Sequence, residues 1–148
     1  MRPQSLVNKA LIVFLLLFFL PINVFSAETI EKDPSIIYIK DIASIITEVD
    51  ILIRDIQFNS IPTSEGAKRL GGHIKKLDSL SCPKDLEELH NKVRLSFKKI
   101  RLGFLLLSKD RREVSVRLVK NGAVLLKSAA LEIKRRAKEK GMIKKQEN

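Results

Sequence analysis

Apolar residues recur at helical spacing along most of the chain, and no segment shows the sustained alternation typical of a half-buried strand. Four stretches carry this pattern, at about residues 35–59, 63–80, 83–107 and 111–140. The segments between them contain Pro62, Pro83 and Ser108-Lys109-Asp110, which are typical of helix breaks and short connections. Since short connections favour antiparallel neighbours, the pattern predicts an all-α, up-down-up-down four-helix bundle.

The first and third stretches have the strongest apolar stripes, with intervals of three and four residues. In the first stretch the stripe is Ile39, Ile42, Ile46, Val49, Ile53 and Ile56, and Ile45 and Leu52 widen it. In the third it is Leu86, Leu89, Val93, Phe97, Ile100, Phe104 and Leu107. The fourth contributes Val119, Leu126, Ala130, Ile133 and Ala137. We expect these residues to form a shared core, and the broad first stripe also suggests an intermolecular bundle.

Glycines leave two local choices open. Gly71-Gly72 lies in the second stretch, where it marks either a weak point or a close helix–helix approach, and we expect the close approach. Asn121-Gly122 lies in the fourth, where a β-hairpin with strands at 114–119 and 124–126 is the alternative to a continuous helix.

The first 26 residues have the layout of a secretory signal peptide. Arg2 and Lys9 precede ten apolar residues from Leu11 to Leu20, Pro21 follows, and the small residues Ser26 and Ala27 offer a cleavage point. An uncleaved membrane anchor is the alternative, and both predict export, which we expect to be into a bacterial periplasm. Residues 27–34 are then a flexible segment, residues 35–140 the bundle and residues 141–148 a basic tail.

Charge is unevenly distributed along the chain, whose formal net charge is +11. Residues 27–65 hold three bases against eight acids, a net −5, whereas residues 66–148 hold 23 bases against nine acids, a net +14. The two halves can pair with each other, and the surplus of positive charge suits an anionic partner or a solvated surface.

The densest basic segment holds seven bases in 12 residues. They are Lys134, Arg135, Arg136, Lys138, Lys140, Lys144 and Lys145. Such a cluster attracts phosphate-rich or acidic partners, and we expect an anionic membrane surface, a cell-wall polymer or an acidic protein. Nucleic acid is not expected, because no aromatic residue interleaves with these bases to stack on nucleobases.

Few residues offer catalytic or metal chemistry. Cys82 is the single cysteine, so the chain can form no internal disulfide, and the thiol can be buried, be tolerated or link two chains. His73 and His90 are the only histidines, and they lack the spacing of a zinc motif, so they are weak candidates for metal ligands and fit structural roles better. The sequence contains neither a Gly-x-Ser-x-Gly elbow nor a phosphate-binding loop, and we expect no cofactor.

The sequence therefore predicts an exported, non-enzymatic helical-bundle protein that binds an anionic envelope component or an acidic protein through its basic C-terminal half. A helix-association or sensor-like module, which would form homo-oligomers, is the first alternative. A metal-binding or enzymatic bundle using His73 and His90 is the second.

Overall fold

The structure is a computed structural model, and it describes residues 33–143. It contains four α-helices: α1 (Pro34–Gln57), α2 (Thr63–Asp78), α3 (Glu87–Leu107) and α4 (Arg112–Glu139). A single 3₁₀ turn, Lys84–Leu86, leads into α3. The described range is helical without a strand, so the all-α prediction is confirmed and the hairpin alternative around Asn121-Gly122 is wrong. The predicted signal peptide, most of the flexible segment, Lys144 and Lys145 lie outside the described residues.

Helix ends follow local capping chemistry. The Asp33 carboxylate accepts a hydrogen bond of 2.8 Å from the Ser35 N–H, and Pro34 occupies the first turn of α1, where a missing N–H costs nothing. At the far end of the chain, Gly141 adopts φ +69° and the Met142 N–H bonds to the Ala137 carbonyl, which closes α4 in a Schellman motif. Met142 is buried there, so the first residues of the predicted tail pack against the core.

Helix α1 supplies the largest share of the core. Ile39, Ile42 and Val49 have no exposed surface, and the rest of the predicted stripe is buried as well. Opposite them lie Leu70 and Leu77 of α2 and Phe97 and Ile100 of α3, also without exposure. Burial of apolar side chains of this size stabilises by about 1.5–3 kcal/mol each. The broad Ile face of α1 is thus occupied by its own bundle and is not left for an intermolecular one.

Each helix contacts the next along the chain, and α1 also contacts α4. The α3–α4 contact is the most extensive. There, Ser96 of α3 faces Gly122 of α4, whereas Gly103 of α3 faces Ser115 of α4, so the two helices run antiparallel. Within residues 33–143, none of the helices is long and apolar enough to cross a membrane.

Two glycines let α3 and α4 approach closely. A Cβ on Gly103 would lie 2.5 Å from Val119 Cγ2, and a Cβ on Gly122 would lie 2.6 Å from Ile100 Cγ1. The close approach is secured by two buried hydrogen bonds, in which Ser96 Oγ donates to the Gly122 carbonyl at 2.8 Å and Ser115 Oγ donates to the Gly103 carbonyl at 2.7 Å. Each helix thus contributes one serine and one glycine, seven residues apart.

The expected close approach at Gly71-Gly72 is therefore found elsewhere. A Cβ on Gly72 would meet nothing within 4 Å, and one on Gly71 would meet only the flexible Arg101 guanidinium, at 3.2 Å from Nε. The pair lies on the outer side of α2, where glycine weakens the helix without admitting a neighbouring backbone.

Candidate functional site

The basic cluster at the end of α4 is partly neutralised within the chain. Arg135 pairs with Glu139 at 2.7 Å, one turn along the same helix. Arg136 turns towards Glu132 and Asp85, at 3.6 and 3.9 Å.

Lys140 of the same cluster donates a hydrogen bond of 2.8 Å to Asp33 Oδ2, which ties the end of α4 to the start of α1. That hydrogen bond lowers the pKa of Asp33 and raises the pKa of Lys140. Lys134 and Lys138, in contrast, make no ion pair with any residue of the described chain. The predicted cluster thus separates into bases that hold the fold and bases that face outward.

The outward-facing bases continue along α4 as a stripe, which we call the basic face of α4. Its members recur at intervals of three and four residues: Arg117, Lys120, Val124, Lys127, Leu131, Lys134 and Lys138. Val124 and Leu131 in its centre are 48% and 49% exposed. The sequence prediction covered only the C-terminal end of this face, because only that end forms a dense run of basic residues. The seven-residue spacing of Lys120, Lys127 and Lys134 was the signal for the rest.

Acids of α4 do not cancel the charge of this face. Between Glu113 and Glu139 the helix contains one acid, Glu132, and it points away from the basic face towards Lys92 of α3 and Arg136. The Lys92 Nζ–Glu132 Oε2 distance is 3.1 Å. The basic face is therefore a continuous positive surface with two exposed aliphatic side chains in its middle, an arrangement suited to anionic surfaces.

The two candidate histidines lie in different surroundings. His73 of α2 faces α1, where its Nδ1 lies 3.3 Å from Glu48 Oε2. Lys76 contacts the same carboxylate at 2.8 and 2.9 Å. Burial lowers the pKa of His73, and the nearby Glu48 carboxylate opposes that shift only in part.

His90 belongs to a polar network at the start of α3. The Tyr38 hydroxyl lies 2.7 Å from His90 Nδ1, and His90 Nε2 lies 4.0 Å from Asp78 Oδ1. We assign the ring proton to Nε2, which faces this carboxylate, so that Nδ1 accepts a hydrogen bond from the tyrosine hydroxyl. Arg94 donates to Asp78 through Nε at 2.6 Å and Nη2 at 3.2 Å, and these bonds lower the pKa of Asp78.

Cys82 approaches the same network from the loop before α3. Burial raises the pKa of Tyr38, the nearby Cys82 adds to this shift, and the Cys82 thiol donates weakly to the Pro83 carbonyl at 3.4 Å. Cys82 and His90 therefore converge on one buried hydroxyl, whereas His73 lies on the Glu48 side of the bundle. Burial also lowers the pKa of His90, so the imidazole is neutral at pH 7.

The histidines and cysteine are not arranged as a metal site within residues 33–143. Among residues 33–143, no group of three His, Cys, Asp or Glu side chains is placed to hold an ion. The Tyr38–His90 contact instead satisfies the polar atoms of two half-buried or buried rings, which is the arrangement expected of a structural network.

Comparison with known proteins adds no relative. No protein-family model matches the chain, and neither the curated proteins nor the solved structures contain a match. Residues 33–143 are therefore defined by their architecture, four α-helices with a basic outer face.

Proposed function

We propose that this protein is an exported, non-enzymatic, up-down-up-down four-helix bundle that binds an anionic partner of the cell envelope through the basic face of α4. The basic face is the observation that carries the proposal, because its outward bases extend over more than 20 residues without an outward acid before Glu139. The up-down-up-down arrangement is supported by the order of helix contacts and by the antiparallel α3–α4 pair. Export is supported by the signal-peptide pattern of residues 1–26.

Chemistry of the face fits an anionic membrane surface, a wall polymer or an acidic protein. Each lysine or arginine near an anionic surface contributes about 1 kcal/mol, and the effect decays within a Debye length. Val124 and Leu131 add apolar area that can enter a lipid headgroup region or cover an apolar side chain of a protein partner.

Vesicle sedimentation and a soluble acidic polymer test the proposal. We expect binding to phosphatidylglycerol-containing vesicles or to polyglutamate, weakening as salt rises, with no binding to phosphatidylcholine vesicles. Lys127→Glu with Lys134→Glu should reduce that binding at least tenfold, since four charge units change on one face.

The matched control is Lys68→Glu with Lys75→Glu, two exposed lysines on α2 with the same seven-residue separation and the same change in net charge. If the control pair reduces binding as much as the α4 pair does, net charge and not the basic face is responsible. Absence of binding to both probes at low salt contradicts the proposal.

A further inference from the structure

The outward side of α1 carries a second regular stripe, which we call the acidic seam of α1. Its members recur at intervals of four and three residues: Ile37, Asp41, Ser44, Glu48, Ile51, Asp55 and Phe58. Ile37, Ile51 and Phe58 are 49%, 53% and 73% exposed, although α1 buries its other large apolar residues. Every charge in the seam is negative, so the seam combines exposed apolar side chains with acids at one heptad position.

The acidic seam and the basic face of α4 have the same length and the opposite charge. Each spans seven positions over 21 residue steps, from 37 to 58 and from 117 to 138, which is about 32 Å of helix. In α1 the acids occupy 41, 48 and 55, and in α4 the lysines occupy 120, 127 and 134. The positions between successive charges hold Val124 and Leu131 in α4, and Ser44 and Ile51 in α1.

Antiparallel alignment of the two stripes places every acid of α1 opposite a lysine of α4. In antiparallel coiled coils, an a position of one helix packs beside a d position of the other. That rule places Asp41, Glu48 and Asp55 opposite Lys134, Lys127 and Lys120, respectively. It also places Ile51 opposite Val124, Ser44 opposite Leu131, Ile37 opposite Lys138, and Phe58 opposite Arg117, where a guanidinium can stack on the ring. Parallel alignment brings the acids against Val124 and Leu131 instead.

We propose that the acidic seam of α1 in one copy of this chain docks antiparallel on the basic face of α4 in a second copy. The inference rests on the proposed function, since it names the acidic partner of the same α4 face. Within one copy, Asp41 and Lys134 make no ion pair with a described residue, so both charges are available to a second copy. Because α1 and α4 are neighbours in the bundle, a two-fold axis between copies would form the contact twice.

The contact should be weak and salt-dependent. Three of its seven layers are exposed ion pairs, each contributing little by itself. Glu48 is already bound to Lys76, and Lys120 already has an interaction within its own copy, so the Asp41–Lys134 layer carries most of the specificity. Only one layer joins two aliphatic side chains, Ile51 and Val124.

Light scattering and a charge swap test the interaction. We expect the mass of the native chain to rise with concentration at low salt and to fall towards the monomer at 0.5 M NaCl. Lys134→Glu should weaken the association about five- to tenfold, and mixing that variant with an Asp41→Lys variant should restore it. Lys75→Glu is the matched control and should leave the mass unchanged. A monomer at every concentration, or a mass insensitive to both Lys134→Glu and Asp41→Lys, overturns the proposal.

Disulfide trapping tests the register. In a Cys82→Ser background, a copy with Ile51→Cys mixed with a copy with Val124→Cys should give mixed disulfides in excess of random pairing. Leu102→Cys, an equally exposed position on α3, replaces Val124→Cys as the control and should give no excess. Equal yields for both pairs overturn the register. A chain that binds phosphatidylglycerol vesicles but stays monomeric refutes self-docking and leaves the proposed function standing, whereas a monomer that also ignores both anionic probes refutes both.

Discussion

At the residue scale, the Tyr38–His90 contact makes the stability of the protein depend on pH near neutrality. Burial lowers the pKa of His90 from its ordinary 6.5, so the unfolded chain takes up a proton first as the pH falls through that value. The free energy of unfolding falls as the pH falls, wherever the unfolded state binds more protons than the folded state. Protonation of Nδ1 would also deprive the buried Tyr38 hydroxyl of its acceptor. We therefore expect the free energy of unfolding in urea to decrease from pH 7.5 to pH 5.5.

His90→Gln checks the assignment, because the amide oxygen can still accept from Tyr38 but does not titrate. The variant should retain most of its stability at pH 7.5 and lose part of the pH dependence. His73→Gln should remove a separate part of the pH dependence of stability, since burial lowers the pKa of His73 as well. Above pH 5.5 the titration of Asp33 and Asp78 does not contribute, because their pKa values are lowered from 3.8. If the variant carrying both His90→Gln and His73→Gln keeps the same dependence of the unfolding free energy on pH, neither histidine is its source.

At the element scale, the α3–α4 contact depends on two glycines, and their replacement should be costly. Gly103→Ala and Gly122→Ala force a Cβ within 2.6 Å of Val119 or Ile100 and within about 3 Å of a backbone oxygen. Overpacking of this kind destabilises by about 1–3 kcal/mol, because the backbones must separate and the two serine hydrogen bonds lengthen. Urea unfolding measures the change for each variant.

Gly72→Ala is the matched control for these substitutions. Its Cβ meets nothing within 4 Å, so only the higher helix propensity of alanine remains. We expect it to stabilise the protein by about 0.5–1 kcal/mol. Destabilisation by Gly72→Ala, or tolerance of alanine at both Gly103 and Gly122, would contradict the packing described for these helices.

Sequence periodicity predicted the four helices and their buried faces, but not which faces meet. The stripe of α1 was predicted residue by residue because a run such as Ile39, Ile42 and Ile46 has one apolar side. The close approach at Gly122 was missed, since a glycine has the same local preference whether it faces a neighbouring backbone or, like Gly72, solvent. The serines that bond across the contact carry no periodic signal of their own.

At the scale of the whole molecule, charge separation along the sequence becomes charge separation on the surface. The acids of residues 27–65 were expected to neutralise the basic half, and Asp33 does pair with Lys140 across 107 residues. The candidate site could be predicted only in part, because counting bases in a run does not distinguish Arg136, which turns inward, from Lys134, which does not. The angular position of each base around the helix axis determines whether it faces inward or outward, and the seven-residue spacing indicates which bases share one face.

The compartment of the folded protein decides which anionic surfaces it can meet, so the predicted signal peptide bears directly on the proposed function. We predict that the full chain, produced in a bacterium, is recovered outside the cytoplasm with its N-terminus at Ala27 or Glu28, as read by mass spectrometry. We expect the apolar segment Leu11–Leu20 to carry the signal, since its length suits a signal peptide and falls short of the 20 or so residues of a membrane span.

Leu15→Arg places a charge in the middle of that segment and should retain the uncleaved chain in the cytoplasm. Leu131→Arg makes the same change at an exposed position of α4 and should leave export and cleavage intact. Full-length protein in the membrane fraction, accessible from outside, would mean that the chain is exported but stays anchored by an uncleaved N-terminal segment. Processing that Leu15→Arg does not affect would show that the apolar segment is not the signal. Native chain recovered uncleaved in the cytoplasm would contradict export, and the basic face of α4 would then have to bind its anionic partner inside the cell.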